Sequence, residues 1–225
     1  MNEFRSIGFY ICPVKTIKIF EWNKSGKMLS VSPCFNDIEP MIEVNDYFRG
    51  WFEDDNRHKA DKENHRKLMG LNSTEYSEFL TLTHKLCGED RTIDVDGRFS
   101  RFSDAKNIFD RYFKKLGYKL VSVSTTDKYF EAFAAEHSYS RIKKGWELCG
   151  EPDNSKLLGY DILGWDFDRF HTFMCNMLYE ELPKARFNEL CLLENDFSEV
   201  EKFAEDIADL GEPVDWLPFR IGEVV

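Results

Sequence analysis

The sequence lacks any long apolar run, and this absence limits the classes of protein to which it can belong. Nowhere in its 225 residues does an apolar stretch approach the roughly 20 residues that span a bilayer. The N-terminus has no basic region followed by an uninterrupted apolar segment, so no secretory signal peptide is expected. We therefore expect a soluble, cytoplasmic protein without a membrane partner.

The common sequence motifs of catalysis and cofactor binding are also missing. There is no G-x-x-x-x-G-K-[ST] and no G-x-G-x-x-G, so neither a P-loop nor a dinucleotide cradle is expected. The hydrolase elbow G-x-S-x-G and the zinc-protease motif H-E-x-x-H do not occur either. The six cysteines are widely spaced without a C-x-x-C pair, which predicts reduced thiols. We predict no cofactor and no metal site.

Positive charge is scarce in the last third of the chain. The formal net charge is −11 and the isoelectric point is about 5.0. Residues 151–225 hold 18 acidic and 6 basic residues, whereas residues 1–150 hold 23 acidic and 24 basic residues. An acidic chain without a basic stripe is not expected to bind nucleic acid directly. A concentrated negative field steers a basic partner, and solubility alone is the alternative explanation.

The length fits one large domain or two small ones, and we predict a single domain over residues 1–225. The clearest candidate boundary is the polar, turn-rich segment 149–155, where the charge balance changes. It would separate a near-neutral part, 1–150, from an acidic part, 151–225.

The hydrophobic periodicity predicts an α+β fold, in which hairpins and amphipathic helices surround a mainly antiparallel sheet. Pro13 predicts a break or an edge, and Pro218 places its strand near an edge. Asp94-Val95-Asp96-Gly97 predicts a hairpin turn rather than a calcium loop, because the twelfth position is Ala105 instead of Glu. The predicted strands are 7–11, 15–22, 28–31, 118–124, 157–165 and 214–221.

Capping residues and apolar stripes predict the helices. Asn72 with Glu75 and Asp196 with Glu199 are capping pairs, and Ser103 is a candidate cap. The segment 125–137 is ambiguous, with a helix as one interpretation. The predicted helices are 53–67, 72–87, 104–116, 168–182 and 196–210.

The main candidates for chemistry are Asp168, His171 and Cys175, which are spaced i, i+3 and i+7 on one predicted helix. An imidazole beside a thiol can activate a nucleophile or bind zinc, and Cys191 is a candidate additional ligand. No second ligand pair has metal spacing. We therefore favour a packed histidine and predict no catalytic residue, with His171 and Cys175 as the weak candidates.

Two further clusters have ordinary structural explanations. His58, Asp61 and His65 share a second helical ridge, but the polar surroundings predict a solvated face rather than a metal site. The aromatic residues around Trp51 fit either an interface anchor or the core side of a helix, and we favour the core. These aromatic residues are Tyr47, Phe48, Trp51 and Phe52.

Three stretches of the last third carry a resemblance. They read GYDILGWD at 159–166, FHTFMCN at 170–176 and EPVDWLPF at 212–219. This part of the chain resembles bacterial immunity proteins of polymorphic and contact-dependent toxin systems. The resemblance implies a small acidic cytoplasmic protein that binds and blocks one toxin domain, often a basic nuclease. It covers roughly the last 65 residues and transfers no site residues.

These observations together predict a non-enzymatic binding protein that neutralises a basic protein partner by occlusion, with carboxylates that pair with cationic residues. One alternative is an acidic DNA mimic that acts against a defence protein. The other is an enzyme of unfamiliar type centred on His171 and Cys175. The acids that we predict to bind the partner are Glu180, Glu181, Glu199, Asp206 and Asp209.

Overall fold

The structure, a computed structural model, is an α+β fold built on an antiparallel sheet, as the sequence predicts. It describes residues 3–18, 25–35, 55–90, 92–94, 97–139, 149–166, 169–175, 177–210 and 214–224. The strands are β1 (Phe4–Cys12), β2 (Lys15–Thr16), β3 (Lys27–Met28), β4 (Lys119–Thr126), β5 (Lys156–Asp166), β6 (Arg169–Thr172) and β7 (Trp216–Glu223). Five of them form the main sheet in the order β1-β4-β7-β5-β6, and β2 pairs with β3 in a short ribbon.

The start of the chain follows its prediction. Pro13 separates β1, an edge strand of the main sheet, from β2. The ribbon of β2 and β3 is the predicted hairpin, and residues 19–24 of that prediction lie outside the described residues. The segment around 149–155 is hydrogen-bonded to β1, since the Ser6 amide donates to the Glu151 carbonyl at 2.8 Å. The prediction of a single domain stays a prediction.

The strand β7 lies in the middle of the sheet, so the prediction that Pro218 places it near an edge is wrong. The ladder between β4 and β7 stops at Arg220, and Pro218 is paired only with Ile162 of β5. The Thr125 hydroxyl donates to the Pro218 carbonyl at 2.8 Å, which places that carbonyl on the β4 side. The amide that proline lacks would point to the same side, beyond the end of the ladder, so no ladder bond is lost.

The two faces of the sheet differ in character. Along β4, Val121 and Val123 point to one face, whereas Leu120, Ser122 and Ser124 point to the other. The first face carries a central cluster that includes Tyr10, Val121, Val123, Phe130, Phe133, Leu163, Trp165, Phe170, Phe219 and Ile221. The second face carries a helical cluster that includes Ile11, Phe79, Ile93, Phe99, Ile108, Phe113 and Leu120. Beyond its serines lies an edge cluster that includes Ile162, Phe173, Leu178, Leu182, Val200, Phe203, Ala204, Ile207 and Trp216.

The first three helices pack at the helical cluster or precede it. Helix α1 (Asp55–Leu68) is the predicted polar helix, and α2 (Ser73–Gly88) begins with the predicted capping box of Asn72 and Glu75. Helix α3 (Phe102–Ile108) continues through a π-helical turn and a 3₁₀ turn to Gly117, whose φ of 77° ends it as predicted. The Ser103 cap is wrong, because Arg101 holds the cap position and Phe102 is already helical. Packing of Phe102 against Phe9, with ring centroids 5.5 Å apart, holds this first turn instead.

The last two helices lie on opposite faces of the sheet. Helix α4 (Asp127–Tyr139) resolves the ambiguous segment and buries Phe130 and Phe133 in the central cluster. Helix α5 (Phe197–Asp206) is the predicted helix after Asp196 and packs on the edge cluster. Asp196 makes no side-chain capping bond, so that part of the prediction is wrong. The Glu199 carboxylate instead accepts a bond from Asn195 Nδ2 at 3.3 Å.

The predicted helix 168–182 is wrong, because its first part is strand β6, paired with β5. Phe170 pairs with Trp165, and their ring centroids are 4.9 Å apart in the central cluster. The Thr172 hydroxyl donates to Asp161 on the same face at 2.7 Å. These cross-strand contacts need a period of two, and they override an apolar spacing that also fits a helix. Among the described residues of that prediction, only Leu178–Glu181 is helical, as a single 3₁₀ turn.

The acidic loop after α2 is the predicted turn. Ile93 bridges Phe99, and the Asp94 amide donates to the Arg98 carbonyl at 2.8 Å. The Asp94 carboxylate is paired with the buried Arg98 guanidinium at 2.5 Å, which is incompatible with a calcium ligand. Within the described ranges, no helix is both long and apolar enough to cross a bilayer.

Candidate functional site

The proposed helical ridge of Asp168, His171 and Cys175 does not exist, because His171 lies on strand β6 and Cys175 lies in the turn that follows. Asp168 is outside the described residues. Cys191 is buried elsewhere, and its thiol donates to the Lys27 carbonyl at 2.9 Å. The predicted trio is therefore replaced by a different arrangement around His171 and Cys175.

That arrangement is a cysteine–histidine cluster formed by Cys34, His171 and Cys175. The Cys34 Sγ lies 4.0 Å from His171 Nδ1, and the ligand atoms of all three residues lie within 4.8 Å of one another. Cys34 is exposed, whereas His171 and Cys175 are half-buried. Cys34 precedes His171 by 137 residues, so no local spacing in the sequence relates the two.

The chain segment 27–35 brings Cys34 to this position. Near its start, the Leu29 amide donates to the Leu190 carbonyl at 3.0 Å, in the loop between the 3₁₀ turn and α5. Further along, the Ser32 hydroxyl lies 3.6 Å from the Cys175 Sγ. The Cys34 amide then donates to the Ser32 hydroxyl at 3.4 Å. The segment is thus held at several points before it reaches the imidazole.

The surroundings of Cys175 do not favour a nucleophilic thiolate. Burial raises the pKa of the Cys175 thiol to about 12, and the hydrogen bond from Ser32 offsets only part of this rise. A nucleophilic cysteine needs a lowered pKa. The cluster therefore gives little support to the alternative of an enzyme centred on His171 and Cys175. Two thiols with an imidazole are instead a ligand set for a soft divalent metal.

Four of the predicted partner-binding acids lie on two elements that both pack on the edge cluster, α5 and the 3₁₀ turn Leu178–Glu181, and Asp209 lies in the turn that follows α5. The apolar residues of α5 face the edge cluster, and its carboxylates point outwards. We define the acidic surface as the exposed acids Glu180, Glu181, Glu205, Asp206 and Asp209.

Four of the five members of the acidic surface have no close cationic contact among the described residues, and the fifth, Glu205, interacts electrostatically with Lys128. Glu180, Glu181, Asp206 and Asp209 form no ion pair with any described residue. Glu199 differs, because it is half-buried and lies 3.9 Å from Arg186 Nη2. The exposed Lys184 and Lys202 lie on or next to the same elements. The acidic excess is thus present on the surface, but Glu199 is partly engaged within the protein.

A row of polar residues on the sheet is a feature that the sequence analysis missed. Ser124 donates to the Asp153 carboxylate at 2.5 Å, and Arg220 forms an ion pair with the same carboxylate. Arg220 also donates to the Ser155 hydroxyl at 2.8 Å. Asp153 is almost fully buried, so the pair is shielded from solvent. The residues of this row come from three distant chain segments, so they give no sequence pattern that would reveal it.

Asp153 and Ser155 of the polar row line a cavity of about 840 Å³. The apolar part of its lining comes from Phe9, Phe102 and Val224. The polar part includes Ser6 and Ser122, whose hydroxyls are 3.1 Å apart. Mixed linings of this kind suit a small polar molecule.

The remaining candidates add nothing to these features. His58 and Asp61 have no described side chains, so the second histidine ridge lies outside what the structure describes. The aromatic cluster from Tyr47 to Phe52 also lies outside the described residues. The sequence matches no protein-family model and no curated protein, and the fold matches no solved structure. The functional argument therefore rests on the residues themselves.

Proposed function

We propose that the chain is a non-enzymatic binding protein that neutralises a basic protein partner by covering the partner's cationic surface. The observation that carries this proposal is the acidic surface on α5, on the turn that follows α5 and on the 3₁₀ turn Leu178–Glu181, where four carboxylates form no ion pair with a described residue. Unpaired surface carboxylates attract a basic partner over a Debye length of about 10 Å at 0.1 M salt.

The packing beneath the acidic surface supports a role in docking. Helix α5 is anchored through Val200, Phe203 and Ile207, and Trp216 donates from its indole to the Leu210 carbonyl at 3.1 Å just beyond the helix. A rigid support holds the carboxylates in one arrangement before binding, which lowers the entropic cost of association. The partner consistent with this surface is a basic domain such as a toxin nuclease, in agreement with the resemblance to immunity proteins.

The test compares two variants with equal changes of charge. In the first, Asp206→Lys and Asp209→Lys reverse the acidic surface. In the control, Glu89→Lys and Glu151→Lys reverse two exposed acids outside the acidic surface that, like Asp206 and Asp209, form no ion pair with a described residue. Each protein is used to capture partners from a lysate of the organism that encodes it, at about 0.05 M and about 0.5 M salt, which changes the screening of exposed charges.

The proposal requires one basic protein that is retained by the wild type and the control at low salt, weakened at high salt, and lost with the acidic-surface variant. With that protein purified, the reversal should lower the association rate by about tenfold or more. The purified chain should also block the partner's activity. Equal binding by both variants, or an unblocked partner, would reject the proposal. Displacement of the chain by DNA would instead favour the DNA-mimic alternative.

A further inference from the structure

We propose that Cys34, His171 and Cys175 form a zinc-binding site that joins segment 27–35 to the sheet edge at β6. The ligand is a soft divalent cation held by two thiolates and one imidazole. This inference does not depend on the proposed partner binding, because the cluster and the acidic surface share no residue.

The positions of the three ligand atoms support this assignment. A tetrahedral zinc ion with Zn–S bonds of about 2.3 Å and Zn–N bonds of about 2.0 Å places its ligand atoms about 3.5–3.8 Å apart. The Cys34 Sγ and His171 Nδ1 are already 4.0 Å apart, and the three ligand atoms lie within 4.8 Å of one another. Side-chain movements of a few tenths of an ångström to about 1 Å complete the geometry without a change of the backbone.

The chemistry of the ligands selects the metal. Thiolates and imidazole favour zinc, whereas calcium and magnesium prefer carboxylates and carbonyl oxygens. Three protein ligands leave a fourth position, which water or a group from a partner completes. Because Cys34 is exposed, the cluster is accessible from solvent.

One hydroxyl is placed to support the ligands once a metal has displaced the thiol proton. The Ser32 hydroxyl lies 3.6 Å from the Cys175 Sγ, within reach to donate a hydrogen bond to a thiolate. Groups of this kind orient metal ligands, and their removal weakens metal affinity by about 10–100-fold. The same serine accepts from the Cys34 amide at 3.4 Å, so it supports two ligands at once.

The first experiment measures bound metal. The full chain is produced with added zinc, purified with a non-chelating reductant, and analysed by native mass spectrometry and elemental analysis. We expect about one zinc ion per chain, and its loss in Cys34→Ser and in Cys175→Ser. The matched control is Cys149→Ser, because Cys149 is a half-buried free thiol outside the cluster and should leave the zinc content unchanged.

The second experiment reports on the ligands directly. Cobalt bound in place of zinc should give the intense visible bands of a tetrahedral site and a near-ultraviolet thiolate charge-transfer band, both absent in Cys34→Ser. The variant Ser32→Ala should keep these bands but bind zinc about tenfold or more weakly in a chelator competition. This variant retains all three ligands, so its effect is separable from the loss of a ligand.

Three results would overturn the proposal. They are a wild-type chain without stoichiometric zinc, zinc that persists in both cysteine variants, and a Cys34–Cys175 disulfide found by mass after alkylation of free thiols. Failure of the proposed function would leave the zinc content unchanged, so the two proposals are tested separately.

Discussion

The buried carboxyl of Asp161 provides the sharpest test of the fold. It lies on β5 in the central part of the sheet, where it accepts bonds from the Thr172 hydroxyl at 2.7 Å and from the Ile162 amide at 2.8 Å. Burial raises its pKa from 3.8 to about 7, because desolvation outweighs these two hydrogen bonds. The perturbation that we propose is Asp161→Asn, which removes the charge and keeps the shape.

The expected magnitude follows from the shift in pKa. The folded state holds the proton up to about pH 7, whereas the unfolded chain releases it near pH 3.9. The contribution of Asp161 to the free energy of unfolding is therefore fully present below about pH 4. It falls as the pH rises towards about 7, because the unfolded chain gains by releasing the proton that the folded state retains. Between about pH 5.5 and about pH 8, Asp161 should lower the free energy of unfolding by about 2 kcal/mol.

The assay is urea unfolding of the wild type and Asp161→Asn at these two pH values. The two proteins share all other titratable groups. The difference between their free energies of unfolding therefore changes with pH only through Asp161. We expect the asparagine variant to gain about 2 kcal/mol relative to the wild type on going to the higher pH. The exposed Asp206→Asn should show no such gain. A pH-independent difference for Asp161→Asn would refute the placement of this carboxyl in the interior.

Two further substitutions test the sheet. Asp153→Asn should destabilise the protein by about 3 kcal/mol, because it leaves the mostly buried Arg220 without its counter-ion. Burial raises the pKa of Asp153, but hydrogen bonds from Ser124 and Ser155 and the charge of Arg220 lower it overall. The wild type should therefore lose this stability as the pH falls below about 4, whereas the effect of Asp161 appears as the pH rises. If the variant lost stability with acid in the same way as the wild type, the pairing of Asp153 with Arg220 would be contradicted. Phe133→Ala should cost about 3–5 kcal/mol in urea unfolding, since its ring packs 5.8 Å from Trp165, whereas the exposed Ala132→Ser should cost less than about 0.5 kcal/mol.

Capping residues, glycine stops and proline breaks correctly predicted the ends of several helices and strands. The capping box of Asn72 and Glu75, the stop at Gly117 and the break at Pro13 each depend on residues a few positions apart. For this reason α2, the end of the α3 region and the end of β1 follow the sequence. Where two periods fitted the same apolar residues, the prediction was wrong: Phe170 belongs to a strand because Trp165 stands opposite it in β5.

The candidate site also combines residues that the sequence identified with a residue that only the tertiary structure revealed. His171 and Cys175 were identified as residues with chemistry, but their assumed helix and their assumed partner Asp168 do not account for the cluster. The missing member, Cys34, lies 137 residues from His171 and reaches it through a segment that is hydrogen-bonded to Leu190 and contacts Cys175. The acidic excess was visible in composition, yet composition does not reveal that Glu199 is engaged with Asn195 and Arg186.

By itself, the sequence determined the α+β class, the helix and strand signals that act within a few residues, and the concentration of acids in the last third. The tertiary structure alone decided the central place of β7, the strand at Phe170, the buried pair of Asp153 and Arg220, and the meeting of Cys34 with His171. The physical reason is that capping, turns and composition act over a few residues. Strand order, desolvation and ligand geometry depend instead on contacts between distant segments, which a linear pattern does not specify.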